Sequence, residues 1–200
     1  YNFTMNAVAT TGAFYSNSVA RTVTCANNLT VTAGVTNTLS GAQPSTDLTV
    51  TNATPIATGA TLTLNASTCI FNGTGTAGGY SLQTTGTGIV NMGSATITAG
   101  AIYLAGSGTN VLTSGVLTIN SASTGGYGLS FDAAITLTHN SGTTAFTRAG
   151  SQLLYDGANT ARTLYNLTIN NASNTTQFAN GNGFALTVAN DFTITAGTFD

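Results

Sequence analysis

Few side chains in this chain of 200 residues can act as acids, bases, nucleophiles or ligands. Three basic residues, five acidic residues and one histidine make up the whole set, and lysine, glutamate and tryptophan are absent. They are Arg21, Arg148 and Arg162, then Asp47, Asp132, Asp156, Asp191 and Asp200, and His139. Most enzymes draw their catalytic groups from such residues, and nucleic-acid binding needs several Lys or Arg to neutralise phosphates. The composition therefore favours a protein that is not an enzyme and that binds no nucleic acid, metal or cofactor.

The histidine and the aspartates stand next to predicted strands. His139 follows Ile135–Thr138, where related segments carry Ala or Ser, and nothing in the sequence places a nucleophilic Ser and a carboxylate beside it. Aspartates can supply a pair for glycoside hydrolysis or a calcium site. Here, however, Asp47 and Asp191 precede strands, and Asp156 lies in a Tyr-Asp-Gly turn. We interpret these residues as turn formers.

Two cysteines and a set of Asn-x-Ser/Thr sequons are the candidate modification sites. Cys25 and Cys69 either form a disulfide, which would indicate an oxidising compartment, or are two buried thiols, and the sequence leaves both alternatives open. The sequons, which accept N-linked glycans in a host that glycosylates its surface proteins, lie at Asn2, Asn28, Asn52, Asn65, Asn72, Asn166, Asn171 and Asn174. A chain so rich in Asn, Ser and Thr contains several sequons by chance, so their number decides little.

Short segments that alternate apolar residues with threonine recur along the chain. Alternation of period two predicts strands, and we find no segment with the i, i+3, i+4, i+7 pattern of an amphipathic helix. Gly, Asn, Ala or Ser follows the segments, which predicts a turn after each. The segments are Leu29–Thr32, Leu48–Thr51, Leu62–Asn65, Leu117–Asn120, Ile135–Thr138, Leu167–Asn170 and Phe192–Thr195. The chain is therefore predicted to be all-β.

A longer repeat of about 50 residues is superimposed on these segments. A shift of 50 places Tyr103–Thr124 on Leu153–Asn174 with eight identities in 22 positions, and a third copy begins at Leu62. We expect two or three strand-turn segments in each unit, spaced about 14 to 22 residues apart. Repeats of this size bury their apolar faces by stacking. They predict one parallel β-helix (β-solenoid) of irregular turns over 1–200, with the repeat clearest over 60–200; a β-sandwich or jelly roll is the alternative.

Several of these segments together carry a family resemblance. Leu154–Thr160, Leu164–Asn171, Leu186–Val188 and Asp191–Asp200 resemble the repeats of large bacterial cell-surface and adhesin-like β-helix proteins. The resemblance covers about residues 60–200. It implies a secreted stalk, adhesin or fibre, an extracellular location and no catalytic residues. Both ends of the chain look like the interior of a repeat, so we expect end-to-end assembly or a fragment of a longer chain.

Two sets of side chains could instead make one face of the solenoid a binding surface. Thr-x-Thr pairs in a regular flat array are typical of ice-binding β-helices, although the irregular spacing of the segments argues against such an array. The pairs are Thr22/Thr24, Thr30/Thr32, Thr49/Thr51, Thr96/Thr98, Thr136/Thr138 and Thr193/Thr195. Outward aromatic residues in a line would favour glycan binding, whereas inward ones belong to the core. The candidates are Phe71, Tyr80, Tyr103, Tyr127, Phe146, Tyr155 and Tyr165.

The sequence thus predicts a structural subunit or shaft of a cell-surface fibre or adhesin, assembled by stacking of solenoid ends. Its partners are expected to be copies of itself or neighbouring repeats, and surface glycans. No membrane span is expected, because the longest apolar run, Ala101–Ala105, is far shorter than the roughly 18 residues that a membrane helix needs. A carbohydrate- or ice-binding module is the alternative. A polysaccharide-degrading enzyme is less favoured, and two aspartates clustered with Arg148 or Arg162 in one groove would support it.

Overall fold

The computed structural model describes residues 2–5, 11–14, 21–32, 36–39, 46–73, 78–132, 135–157, 160–180 and 185–200. All regular structure in these ranges is β-strand. None of these residues therefore belongs to a helix that could cross a membrane.

The chain winds through six coils of three short strands, and two further coils depart from that pattern. The regular coils are β1 (Phe3–Met5), β2 (Thr11–Phe14), β3 (Arg21–Cys25); β4 (Leu29–Val31), β5 (Thr36–Leu39), β6 (Thr46–Val50); β7 (Thr54–Ile56), β8 (Thr61–Thr63), β9 (Thr68–Phe71); β10 (Leu82–Thr84), β11 (Ile89–Asn91), β12 (Thr96–Ala99); β13 (Ile102–Leu104), β14 (Thr109–Val111), β15 (Val116–Ile119); and β16 (Tyr127–Phe131), β17 (Thr136–Thr138), β18 (Thr143–Phe146). The last two coils comprise β19 (Gln152–Asp156), β20 (Arg162–Leu164), β21 (Asn166–Asn180), β22 (Leu186–Val188) and β23 (Phe192–Phe199).

Equivalent strands of successive coils form three faces. The first face holds β1, β4, β7, β10, β13, β16 and β19, the second β2, β5, β8, β11, β14 and β17, and the third β3, β6, β9, β12, β15 and β18. All described strand pairs are parallel. The predicted parallel β-helix is confirmed, and the antiparallel sandwich is excluded.

The coils are shorter than the sequence repeat suggested. Thr54 pairs with Leu82 and Leu82 with Ile102, so the longest coil has 28 residues and the shortest 20. Leu117 pairs with Thr144, which pairs with Leu167, so a shift of 50 residues spans two coils. Each 50-residue unit therefore contains six strands rather than the expected two or three. The strands are so short that strand and turn alternate every few residues.

Strict strand register builds the core. On the third face, every second side chain points inward and stacks on its equivalents in the neighbouring coils. Two inward columns result: Val23, Leu48, Cys69, Ile97, Leu117, Thr144 and Leu167, and Cys25, Val50, Phe71, Ala99, Ile119, Phe146 and Ile169. Nearly all of these side chains are buried. Burial of this apolar surface is the main source of stability in a fold whose strands touch only their neighbours.

Glycines allow the corners to stack as closely as the strands do. Gly86 and Gly106 occupy equivalent corners of consecutive coils, and both have positive φ, at 56° and 87°. A Cβ added at Gly106 would overlap the carbonyl oxygen of Gly86. This corner therefore requires glycine both for its backbone conformation and for the close approach.

The pattern changes after β18. Strand β21 is long enough to pair with β18 through Asn166–Ile169 and with β19 through 176–180, so it joins the third face to the first. On the second face the sheet ends at β17, and β20 and β22 form a separate two-stranded sheet. This break in the second face positions the buried ion pair described below.

Candidate functional site

The last coil exposes the apolar core. Phe192 pairs with Leu167 and Ile194 with Ile169, so both occupy the inward columns of the third face. Leu167 and Ile169 are 1% and 0% exposed, whereas Phe192 and Ile194 are 47% and 48% exposed. At the other end, Phe3 is 39% exposed, although its partner Leu29 is buried. Side chains that are core residues in the middle of the solenoid are therefore surface residues at both of its ends.

Strand edges accompany these apolar side chains. In the described part of the chain, β23 pairs only with β21, and β22 only with β20. Each of these strands keeps one edge whose N–H and C=O groups have no strand beside them. Such an edge is a template for pairing with another parallel strand. The two ends of the solenoid, with these apolar side chains and strand edges, are the candidate assembly surface.

A buried ion pair fills the break in the second face. Asp156 pairs in register with Phe131 and is completely buried in an inward column of the first face. The Nε of Arg162 donates to the Asp156 carboxylate at 2.5 Å. The two Nη groups of Arg162 donate to the backbone oxygens of Ile135 at 2.9 Å and Asp132 at 3.1 Å. The guanidinium thus bonds carbonyl groups where the strand ladder is interrupted.

A cleft and a second aspartate, Asp132, lie next to this pair. The cleft has a volume of about 270 Å³, and it is lined by Arg162 together with Ile135, Leu137 and other uncharged residues. Asp156 is buried against Arg162, while the carboxylate of Asp132 lies near Tyr103, whose pKa is raised by burial and then by that carboxylate. Arg162 therefore binds the carboxylate of Asp156 but the backbone oxygen of Asp132. An ion pair so deeply buried costs much desolvation, and removing one partner alone would destabilise the fold.

Four of the remaining ionisable side chains, His139, Asp47, Asp191 and Asp200, have structural partners, whereas the side chain of Arg21 lies outside the described part of the chain. His139 Nδ1 accepts from the Ser141 N–H at 3.2 Å, and its ring stacks on Tyr165 with 5.5 Å between centroids. Asp47 accepts from the Thr68 N–H at 3.0 Å. Asp191 accepts from Asn190, and Asp200 from Gln177. Within the described ranges, no three His, Cys, Asp or Glu residues are grouped as a metal site would require.

The cysteines match the buried-thiol alternative. Both side chains are buried thiols, and they do not form a disulfide with each other. Cys25 is aligned with Val50 and Phe71, whereas Cys69 is aligned with Leu48, so they stand in different columns and two coils apart. Two coils correspond to about 10 Å, which exceeds the roughly 7 Å that a disulfide allows between Cα atoms. The Sγ of Cys25 donates to the Asn28 carbonyl oxygen instead, at 3.0 Å.

The sequons differ in accessibility. Asn2 and Asn72 are exposed, and Asn28, Asn52, Asn65, Asn166 and Asn174 are half-buried. Asn171 is completely buried and its Nδ2 donates to Thr176 Oγ1. A glycan on Asn171 is incompatible with this structure, because the side chain faces the interior. Asn171 occupies a position whose side chain points into the core, and the Asn-x-Ser/Thr pattern carries no information about side-chain direction.

Six threonines of the third face form a ladder that Ile70 and Ala145 interrupt. Register places Thr24, Thr49, Ile70, Thr98, Thr118, Ala145, Thr168 and Thr193 in one outward column. The variation in coil length lies in the loops, so it does not disturb this face. Register thus aligns these threonines in spite of the irregular spacing of the segments, but in pairs and not as one unbroken array. Of the other predicted pairs, Thr30 lies on the first face, and Thr136 and Thr138 lie on the second.

The aromatic candidates divide between core and surface. Phe71 and Phe146 are completely buried in an inward column. Tyr80, Tyr103, Tyr127 and Tyr155 lie together on the first face, which is a grouping that the sequence alone did not indicate. Comparison with protein-family models, with curated proteins and with solved structures returns no match. The function proposed below is therefore inferred from the geometry of this chain alone.

Proposed function

We propose that this chain is a non-catalytic structural unit, a subunit or shaft of an extracellular cell-surface fibre or adhesin that grows by stacking of solenoid ends. The observation that carries this proposal is the exposure of Phe192 and Ile194 in columns that are otherwise core. A further parallel coil placed on β23 would extend both columns and pair its strand edge. That coil comes from another copy of the chain or from a neighbouring repeat.

The energetics favour stacking at these ends. Covering the exposed half of Phe192 and of Ile194 contributes roughly 1 kcal/mol each, and backbone hydrogen bonds along β23 add to it. With 4% charged residues, the chain has few charges to desolvate at a contact. Contact between unlike ends is heterologous, and repetition without closure produces an open filament.

A lysine on the inward column of β23 tests the proposal. Ile194→Lys places a charge where the next coil would pack, while half-exposure of the native side chain leaves the isolated chain folded. Thr193→Lys adds the same charge to the adjacent, outward-facing position and is the matched control. At neutral pH and modest salt, we expect wild type and Thr193→Lys to form filaments by electron microscopy, and Ile194→Lys to form short rods.

Circular dichroism and thermal melting are the controls that check whether both variants fold. Equal assembly of Ile194→Lys and Thr193→Lys would contradict end stacking through this surface. So would a wild-type chain that sediments as a single short rod at every concentration.

Lattice-water binding by the threonine ladder is a second candidate function. Within each of the pairs Thr24/Thr49, Thr98/Thr118 and Thr168/Thr193, hydroxyl and methyl groups are spaced by about 4.8 Å along the solenoid axis. Thr118→Lys on this ladder should abolish inhibition of ice recrystallisation if the face binds ice, whereas Thr136→Lys on the second face should not. Absence of inhibition by the wild-type chain would exclude this candidate.

A further inference from the structure

Four tyrosines on the side of the first face form two ring pairs, across four successive coils. The tyrosine strip consists of Tyr80, Tyr103, Tyr127 and Tyr155. Register places Gln83, Tyr103, Ser130 and Tyr155 in one outward column, and Tyr127 opposes Leu153 beside it. Elsewhere the same column carries Thr4, Thr30, Pro55 and Ala179. The concentration of aromatic rings is therefore local and is not a general feature of this face.

The rings hold one another in place. Tyr80 and Tyr103 are stacked with centroids 5.2 Å apart and planes inclined by 26°. Tyr127 and Tyr155 lie 4.7 Å apart with planes inclined by 38°. Tyr80 is only 9% exposed, and its hydroxyl lies 3.5 Å from Ser130 Oγ, so it is the most buried member of the strip. Tyr103, Tyr127 and Tyr155 are half-buried and keep part of their surface open to solvent.

A carboxylate joins the strip at its centre. Asp132 follows β16, and its carboxylate lies near the hydroxyl of Tyr103. Burial, and then the nearby carboxylate of Asp132, raise the pKa of Tyr103, so its hydroxyl stays protonated at neutral pH. Arg162 donates to the backbone oxygen of Asp132 at 3.1 Å, but its charge is balanced by the Asp156 carboxylate. The strip thus combines aromatic surface, hydroxyl groups and one net negative charge.

We propose that the tyrosine strip is a binding site for a neutral polysaccharide segment lying along the solenoid axis. Tyrosine offers an apolar ring for the C–H face of a sugar and a hydroxyl for its polar edge. Mutual stacking fixes the rings before binding, which lowers the ordering cost of a contact. The Asp132 carboxylate accepts hydrogen bonds from sugar hydroxyls and repels polyanions. This function is independent of end stacking, because the strip lies on the side of the solenoid.

Affinity electrophoresis tests this site with defined neutral polymers. Laminarin, xylan, galactomannan and amylose serve as probes, and polygalacturonate is the anionic comparison. We expect at least one neutral polymer to retard the wild-type chain, and Tyr155→Ala or Tyr103→Ala to weaken that binding about tenfold. Tyr165→Ala removes an aromatic ring away from the strip and should bind as wild type does. All variants are checked by circular dichroism.

Tyrosine emission supplies a second readout, because the chain contains no tryptophan. The bound polymer should change the emission of the wild type and of Tyr165→Ala, but not that of a Tyr103→Ala/Tyr155→Ala double variant. The proposal is overturned by three results: no neutral polymer in the panel binds, only the polyanion binds, or the strip variants bind as tightly as wild type. Filament formation by these variants is expected to be unchanged, so failure of this site and failure of end stacking are separately observed.

Discussion

At the scale of single residues, the interior of the solenoid controls the ionisation of Cys69. Its side chain is 1% exposed and lies between Leu48 and Ile97 of the adjacent coils. Burial, and then the nearby carboxylate of Asp47, raise the pKa of the thiol from 9.0 to about 12. The folded chain therefore keeps this proton over a range in which the unfolded chain loses it.

This shift predicts a loss of stability at alkaline pH. Below pH 9 the thiol is protonated in both states, and above it the unfolded state is increasingly favoured as pH rises to about 12. The free energy of unfolding of the wild type should fall more steeply between pH 9 and 12 than that of Cys69→Ala. Urea titrations at a series of pH values measure the two slopes, and the tyrosines contribute equally to both. Parallel slopes would contradict the assignment.

The alternation of inward and outward side chains along a strand made the burial of some individual residues predictable. Gln152, Leu154 and Asp156 share one parity within β19, so the burial of Leu154 already implies an inward Asp156. We interpreted Asp156 as a turn residue because Tyr-Asp-Gly is a common turn sequence. Its partner Arg162 was not predictable, because it requires the break in the second face, which depends on the register between coils.

At the scale of the elements, the corners limit the fold as strictly as the strands do. Gly106→Ala introduces both a positive-φ penalty and an overlap with the Gly86 carbonyl oxygen. Gly126 also has positive φ, at 84°, but an added Cβ would meet only Leu153 Cδ1 at 3.9 Å. Gly126→Ala should therefore cost about 1–2 kcal/mol of stability, and Gly106→Ala at least about 2 kcal/mol more.

Chemical denaturation of the two variants measures this difference. Because both share the backbone penalty, the difference isolates the close approach of neighbouring corners. Equal destabilisation would mean that consecutive coils do not stack at this corner as described.

Strand position was largely predictable at this scale, and strand pairing was not. The alternating segments at Leu29, Leu62, Leu117 and Leu167 all contain strands, because threonine and apolar residues alternate with period two there. The weaker three-residue strands, such as Thr109–Val111, lack a full period of alternation and escaped detection. Without them, the coil length and hence the alignment of the threonine ladder could not be deduced.

At the scale of the whole molecule, the proposed end stacking depends on one physical feature: an apolar core that continues to both ends of the solenoid. The inward columns are core where a coil lies on each side and surface where one is missing, as Phe3 and Ile194 show. The repeat and the alternating strand segments predicted such a solenoid from the sequence. They could not identify which side chains its ends expose, since that follows from the register of the last strands.

The most direct test of end stacking is electron cryomicroscopy of the purified chain at neutral pH and modest salt. Stacked ends predict filaments much longer than the roughly 35 Å occupied by eight coils, with the strand spacing of about 4.8 Å running along the filament axis. The strand ladder should continue across each junction, from β23 of one copy into the first coil of the next. Monodisperse short rods, or filaments whose strand spacing runs across the axis, would contradict the proposal.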